Sequence, residues 1–292
     1  RQERLGLDSL SAYAAHLRRE PEEWAAVWAA ALPLYGAFLR PAAQFDLARD
    51  LLSEWAVMAP QRQLNVLSLG CGPGFETCSL AICLEEAGLR AKNWQVDIFG
   101  LDLNPEAVRA AESGIFTSDD LEWVTELQRR KRFAPRGCGL HFKQDLDAPI
   151  KVAAGNVYEP ESWPFFEMCG SFDLIFCRGL SLEAPPDSPR QLTRILRQCL
   201  APSGFIFTAP GEFLPLAGDD IYLEERSGVT HYRQGAIKIK VNRHHQPRRP
   251  RPGSGAAKMP AGRARETLHP RQAPLPPAAP EQLAQGHPGA AP

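Results

Sequence analysis

Residues 66–84 read VLSLGCGPGFETCSLAICL: an apolar run, Val66 to Leu69, leads into glycines at alternate positions, Gly70, Gly72 and Gly74, and then into a predicted helix, Glu76 to Ala87. Without a Cβ, glycine lets a chain turn tightly and lets a ligand approach the main chain. Strand, glycine turn and helix together open an α/β unit. Working outward, further apolar runs predict strands at Val96–Leu101, Val152–Val157, Phe172–Cys177 and Phe205–Thr208, with helices between them at Pro105–Glu112 and Pro189–Leu200. Such alternation predicts a mostly parallel sheet. A hairpin is expected around Ile221 to Tyr232, and no internal repeat is present.

The glycine spacing bears on the ligand. A dinucleotide fingerprint needs Gly-x-Gly-x-x-Gly, and Phe75 occupies its last glycine position. A Gly-x-Gly-x-Gly turn instead suits the amino-acid part of S-adenosylmethionine, which has no pyrophosphate to cradle. The next strand ends at Asp102, where a carboxylate can accept both hydrogens of a ribose diol, and ligands of open α/β sheets bind outside those strand ends. The competing role for Asp102 is to cap the helix that starts at Pro105, although Asn104 is better placed to do so.

Before this unit, apolar residues recur at helical spacing: Leu10, Tyr13 and Leu17; Trp24, Val27, Trp28 and Ala31; Phe45, Leu47, Leu51, Leu52 and Trp55. Residues 1–58 are therefore expected to form a small N-terminal helical domain, and residues 59–237 a Rossmann-like α/β domain with a turn suited to S-adenosylmethionine. Residues 238–292 read as a disordered basic, proline-rich tail or linker. From Val241 onward there are eight Lys or Arg, two acidic residues, eleven of the 27 prolines and no aromatic residue. Such a segment cannot bury enough apolar surface to offset its ordering entropy. The net charge of −1 is thus a cancellation, because residues 1–240 hold 25 basic and 32 acidic groups, about −7.

No apolar run reaches the roughly 18 residues needed to cross a bilayer, and no charged-then-apolar signal opens the chain, so membrane insertion is not expected and a cytoplasmic location is. Nucleic acid is not an expected partner. The seven cysteines include no Cys-x-x-Cys pair and read as reduced and mostly buried. His16, His141 and His231 lack metal-ligand spacing, and no metal site is expected. An opening Arg1 in place of Met reads as a trimmed start or a piece of a longer chain, in which further domains could follow the linker.

Over residues 5 to about 235 the chain resembles the CheR-type chemotaxis-receptor methyltransferases. The resemblance rests on an ordered series: GAFLRPAAQF, the glycine loop with Glu76 and Ser79, DLNPEAVRAAESGIF, RFAPRGCG, NVYEP, FDLIFCRG and LRQCLAPSGFIFTAPGEF. It implies an S-adenosylmethionine-dependent O-methyltransferase acting on glutamate side chains of a receptor or signalling protein. In that family pattern Gly70, Gly72, Gly74, Glu76 and Asp102 line the cofactor pocket, with Glu76 at its amino acid and Asp102 at its ribose. Asn156 stands at the adenine side with Val157 beside it, and Arg40 stands at the methyl-transfer site. Arg178 and Glu212 follow apolar strands and are read either as crevice residues or as solvated charges.

The chain departs from that pattern on the acceptor side. Leu34, Tyr35 and Gly36 replace an Asn-x-Thr element, and Gly179 and Glu183 stand at the Asn and Tyr positions of the run that follows FDLIFCR. A carboxylate at Glu183 would repel an incoming glutamate unless it faces away, pairs with an arginine or is protonated by burial. The insert between RFAPRGCG and Val152, where the family carries a small β-subdomain that some members use to grip receptors, is short. A catalytically weak or inactive cofactor-binding adaptor in a signalling pathway is the alternative function.

Overall fold

In the computed structural model, residues 1–235 are described apart from 33, 35, 59–62, 90–93, 145–148, 167–170, 181–187 and 216–219. The tail from Lys240 separates as a second unit and lies outside the described residues, as does Glu183.

The glycine-flanked run of the sequence is the centre of the fold. Strand β1 (Gln63–Leu69) leads through the glycine turn to helix α4 (Phe75–Glu86) and then to β2 (Gln95–Asp102). Helix α5 (Pro105–Ser113) follows, and after a short sheet the chain returns as β6 (Ile150–Ala154), β7 (Phe172–Cys177), α7 (Ser188–Cys199), β8 (Leu200–Phe207), β9 (Ile221–Arg226) and β10 (Val229–Gln234). The seven strands order β6-β2-β1-β7-β8-β10-β9. β6, β2, β1, β7 and β8 are parallel, while β10 lies antiparallel to both β8 and β9. From β1 the chain builds outward to β2 and β6, then crosses to β7 on the other side. The switch point between β1 and β7 is where an open sheet of this kind leaves a crevice at its carboxyl edge.

The strands read as unbroken apolar runs because both faces are covered. With a side-chain period of two, Leu64, Val66, Val96, Ile98, Leu174, Phe176, Phe205 and Phe207 point to one core. Leu67, Leu69, Phe99, Leu101, Ile175, Cys177 and Ile206 point to the other. Helix α7 presents Leu192, Ile195, Leu196 and Cys199, one stripe of its surface, to the second core. Full burial of a leucine stabilises by about 1.5–3 kcal/mol, so a charge at Leu196 would be among the most damaging single changes on this helix.

The N-terminal helices are α1 (Leu10–Arg19), α2 (Glu23–Ala31) and α3 (Ala42–Met58). They contribute unequally. α3 buries Phe45, Leu47, Ala48, Leu51 and Leu52 in the first core, whereas α1 buries only Leu17 and leaves Leu10 77% exposed.

A small subdomain lies almost entirely ahead of the segment between RFAPRGCG and Val152. Between α5 and β6 lie β3 (Ile115–Phe116), α6 (Glu126–Arg132), β4 (Phe133–Arg136) and β5 (Gly139–Phe142), and the strands form an antiparallel sheet in the order β3-β5-β4. Thr125 and Gln128 close a capping box at the start of α6. Phe38, fully buried, joins this subdomain to the main fold: its ring meets Phe75, Phe116 and Phe133 edge-on at 5.1, 4.8 and 5.4 Å. Edge-to-face pairs of this kind add about 0.5–1.5 kcal/mol each beyond burial. The turn carrying Leu39 and Arg40 is therefore anchored by the residue before it. No helix among the described residues is long and apolar enough to cross a membrane.

Candidate active site

The carboxyl edge of the sheet gathers most of the sequence-predicted residues. Gly70, Gly72 and Gly74 all have positive φ, +72°, +55° and +98°, a backbone path that side-chain-bearing residues rarely adopt. The turn is tied to the neighbouring strand end: Gly70 N–H and Cys71 N–H donate to the Leu101 carbonyl at 2.8 and 3.1 Å.

Asp102 is not the cap of α5. That role belongs to Asn104, whose Oδ1 accepts the Glu106 N–H at 2.9 Å, with Pro105 in the first turn. Asp102 instead joins two loops. Its Oδ2 accepts the Gly72 N–H and its Oδ1 the Asn104 N–H, both at 2.8 Å. Its own carbonyl accepts the Gly155 N–H at 3.0 Å, which brings the turn after β6, with Asn156, alongside.

Glu76, buried in the first turn of α4, accepts the Ser68 hydroxyl at 2.7 Å through Oε1 and pairs through Oε2 with Arg178 Nε. A carboxylate in the first helical turn is also favoured by the helix dipole. Arg178 is thus no solvated strand-end charge. Its Nη1 donates to the Arg40 carbonyl at 2.7 Å, and its guanidinium lies over Phe45 and Phe176 at 5.4 and 5.7 Å. Nor is Glu212 solvated: its Oε2 accepts the N–H groups of Gly179 and Ala209 at 2.8 and 2.9 Å, bracing the ends of β7 and β8 together.

Arg40 reaches the site through its backbone, while its side chain turns to the subdomain and lies over Trp123 at 3.9 Å. Among the described residues no carboxylate pairs with its guanidinium. The preceding Leu39 N–H donates to Ser79 Oγ at 2.8 Å, which fastens this turn to α4 and gives Ser79 a purpose the sequence did not disclose. Asn156 spends its side chain on its own turn, Oδ1 accepting the Tyr158 N–H and Nδ2 donating to Glu159, both at 3.0 Å. Val157 packs, partly buried, against the second core.

Two departures on the acceptor side have physical reasons. A Cβ at Gly36 would stand 2.5 Å from Phe75 Cδ2, so the buried Phe75 ring fills the space a larger residue would need. Gly179 has φ +84°; asparagine is the side-chain-bearing residue that best tolerates that region, so the replacement keeps the backbone path and removes only an amide.

Cys71, Cys78, Cys83, Cys177 and Cys199 are free and buried, while Cys138 is free and exposed. Burial pushes the Cys71 and Cys177 thiols well up, with nearby carboxylates adding to it, so neither serves as a nucleophile here. A separate cavity of about 490 Å³ opens at the opposite, amino edge of the sheet, between Trp55, Trp94, Phe205 and Arg233, and includes none of these residues.

The chain has counterparts among known proteins. Residues 35–227 match the family model described as CheR methyltransferase, SAM binding domain. The chain belongs to the CheR methyltransferase family. A chemotaxis protein methyltransferase of Klebsiella aerogenes is 30% identical over 227 residues, covering 75% of this chain and 74% of the relative. One of Salmonella typhimurium is 28% identical over 216 residues, 71% of each. A Pseudomonas putida protein named "Probable biofilm formation methyltransferase WspC" is 29% identical over 194 residues, 65% of this chain but only 44% of that longer relative.

As a CheR family member the chain is an S-adenosylmethionine-dependent methyltransferase. The residues present fit that cofactor. Each oxygen of Asp102 has accepted one backbone N–H and keeps a lone pair for a hydroxyl. The Glu76–Arg178 pair offers both signs of charge to a zwitterionic amino acid, and Nη2 of Arg178 has no partner among the described residues.

Proposed function

We propose that this CheR family member methylates glutamate side chains of a receptor or signalling protein in the cytoplasm, forming methyl esters. The observation that carries the reading is Arg40. Its backbone stands at the cofactor edge, bonded to the Arg178–Glu76 pair, and its exposed guanidinium lies over Trp123 without a carboxylate partner among the described residues. Such a group suits an incoming carboxylate. The names of the Klebsiella and Salmonella relatives support a chemotaxis-type acceptor.

The chemistry asks little of acid–base groups. A glutamate carboxylate, with a reference pKa near 4.3, is already ionised at neutral pH, so no general base is needed. When bound, S-adenosylmethionine supplies a methyl group activated as a sulfonium. Asp102, Glu76 and Arg178 would hold the cofactor's polar ends, and the glycine turn would let it lie against the backbone. Arg40 would orient the acceptor carboxylate, itself the nucleophile, toward the methyl group that the bound cofactor would supply. The contribution of the chain is alignment and the exclusion of water.

The test is incubation with radiolabelled donor and soluble cytoplasmic fragments of receptors from the encoding organism, followed by base treatment. Label released as volatile methanol is the expected result. Bound cofactor product with no label in any acceptor would instead leave the chain as a cofactor-binding adaptor.

A further inference from the structure

We infer that Trp123 is a positioning residue for methyl transfer, holding the Arg40 guanidinium where the acceptor carboxylate arrives. The inference rests on the reading of Arg40 given above. The argument begins with what fixes each end of Arg40. Its backbone is clamped: the carbonyl accepts Arg178, the Leu39 N–H donates to Ser79, and Phe38 is locked in the aromatic cluster. Its side chain is exposed and long, and would lose several rotatable bonds of freedom on meeting a carboxylate. Among the described residues the one contact that restrains it is the indole of Trp123, 3.9 Å from the guanidinium carbon.

Trp123 is itself held from below. It lies between Leu121 and Val124, both buried, and just before the capping box that starts α6. Arg129 ties the same turn, donating to the carbonyls of Leu121 and Val124 at 2.5 and 3.0 Å. The indole is 46% exposed although its backbone is fixed, so one ring face is available to a cation while its edge remains in water. A guanidinium whose carbon lies over the ring, with no carboxylate partner among the described residues, keeps N–H groups free, and two of them can meet a carboxylate at once.

Apolar side chains are also exposed next to residues of the cofactor edge. Leu103, next to Asp102, and Phe213, next to Glu212, are 36% and 63% exposed.

The first measurement is spectroscopic. In ¹⁵N spectra of the full chain, the Arg40 Nε–H proton should be shifted upfield by the indole ring, and Trp123→Ala should move it to the ordinary arginine position. An unshifted Arg40 signal in the unaltered chain would overturn the proposal. The second is kinetic, with a labelled receptor fragment as acceptor. Exposed cation–π contacts translate into roughly two- to five-fold effects, so Trp123→Ala should raise the acceptor KM by about that factor. Trp123→Phe should restore part of it, and the affinity for S-adenosylhomocysteine should stay unchanged. In an Arg40→Ala background, Trp123→Ala should have no further effect. If Arg40→Ala lowers transfer while Trp123→Ala does not, the positioning role is wrong although the reading of Arg40 stands. If Arg40→Ala leaves transfer unchanged, the reading of Arg40 fails and the role built on it fails too.

Discussion

Asp102→Asn separates holding a loop from holding a cofactor. The carboxylate accepts two backbone N–H groups at 2.8 Å, from Gly72 on one loop and Asn104 on the other. An asparagine of the same size has only one accepting oxygen, so one of those bonds is lost and its NH₂ faces a backbone donor. A hydrogen bond to a charged group contributes about 1.5–3 kcal/mol, and the half-exposed setting allows water to recover part of it, leaving a cost near 1 kcal/mol. For a folded unit of this size that corresponds to a fall of about 2–4 °C in Tm. Cofactor binding should suffer more. If the ribose hydroxyls are bound by the same carboxylate, one charge-assisted bond vanishes and the other becomes neutral, a loss of about 2–3 kcal/mol, or roughly 30- to 150-fold in Kd. Calorimetric titration of S-adenosylhomocysteine beside a thermal melt reads both. A lowered Tm with affinity within about three-fold of the original would refute the ribose assignment and leave Asp102 as a brace between loops.

Three further outcomes follow from the same contacts. Arg178→Met leaves the buried Glu76 carboxylate without its cation and should cost about 3 kcal/mol; adding Glu76→Gln to it should recover part of the loss in a denaturant titration, and no recovery would mean the pair is not what Arg178 supports. Gly36→Ala drives a methyl into the Phe75 ring, so it should cost about 1–3 kcal/mol, reduced by Phe75→Leu in the double variant; additive costs would break the link between the two positions. His231 is buried against Phe207 and Phe205, and burial holds its pKa below the ordinary value despite Glu224 at 3.4 Å. The unfolded chain therefore takes up a proton near pH 6.5 that the folded chain refuses, and stability present above that pH should decline as pH falls toward the lower folded value, with His231→Gln flattening the slope.

The architecture was legible because four of the five parallel strands are buried on both faces and announce themselves as apolar runs, from Val66 to Leu69 onward, while the edge strand β6 is only partly buried. Their predicted starts lie up to five residues inside the observed ones, the largest gap being at β8, where Ala201 to Gly204 interrupt the apolar pattern. The three-stranded sheet was not legible: β3 has two residues and β4 and β5 four each, too short for a period of two to register. The site divides in the same way. The glycine turn and Asp102 are local in sequence and could be read from spacing, whereas Glu76 meets Arg178 across 102 positions and Leu39 meets Ser79 across 40. No pattern along the chain records such pairs. The family resemblance pointed to Glu76 and Arg40 but not to what joins them, a chain of contacts from Ser68 through Glu76 and Arg178 to the Arg40 backbone. Gly36 and Gly179 are accommodated by Phe75 and by the Glu212 brace, so the backbone that carries Arg40 to the cofactor edge stays in place. If Arg40 receives the acceptor as proposed, the groups around it can change without disturbing the cofactor half.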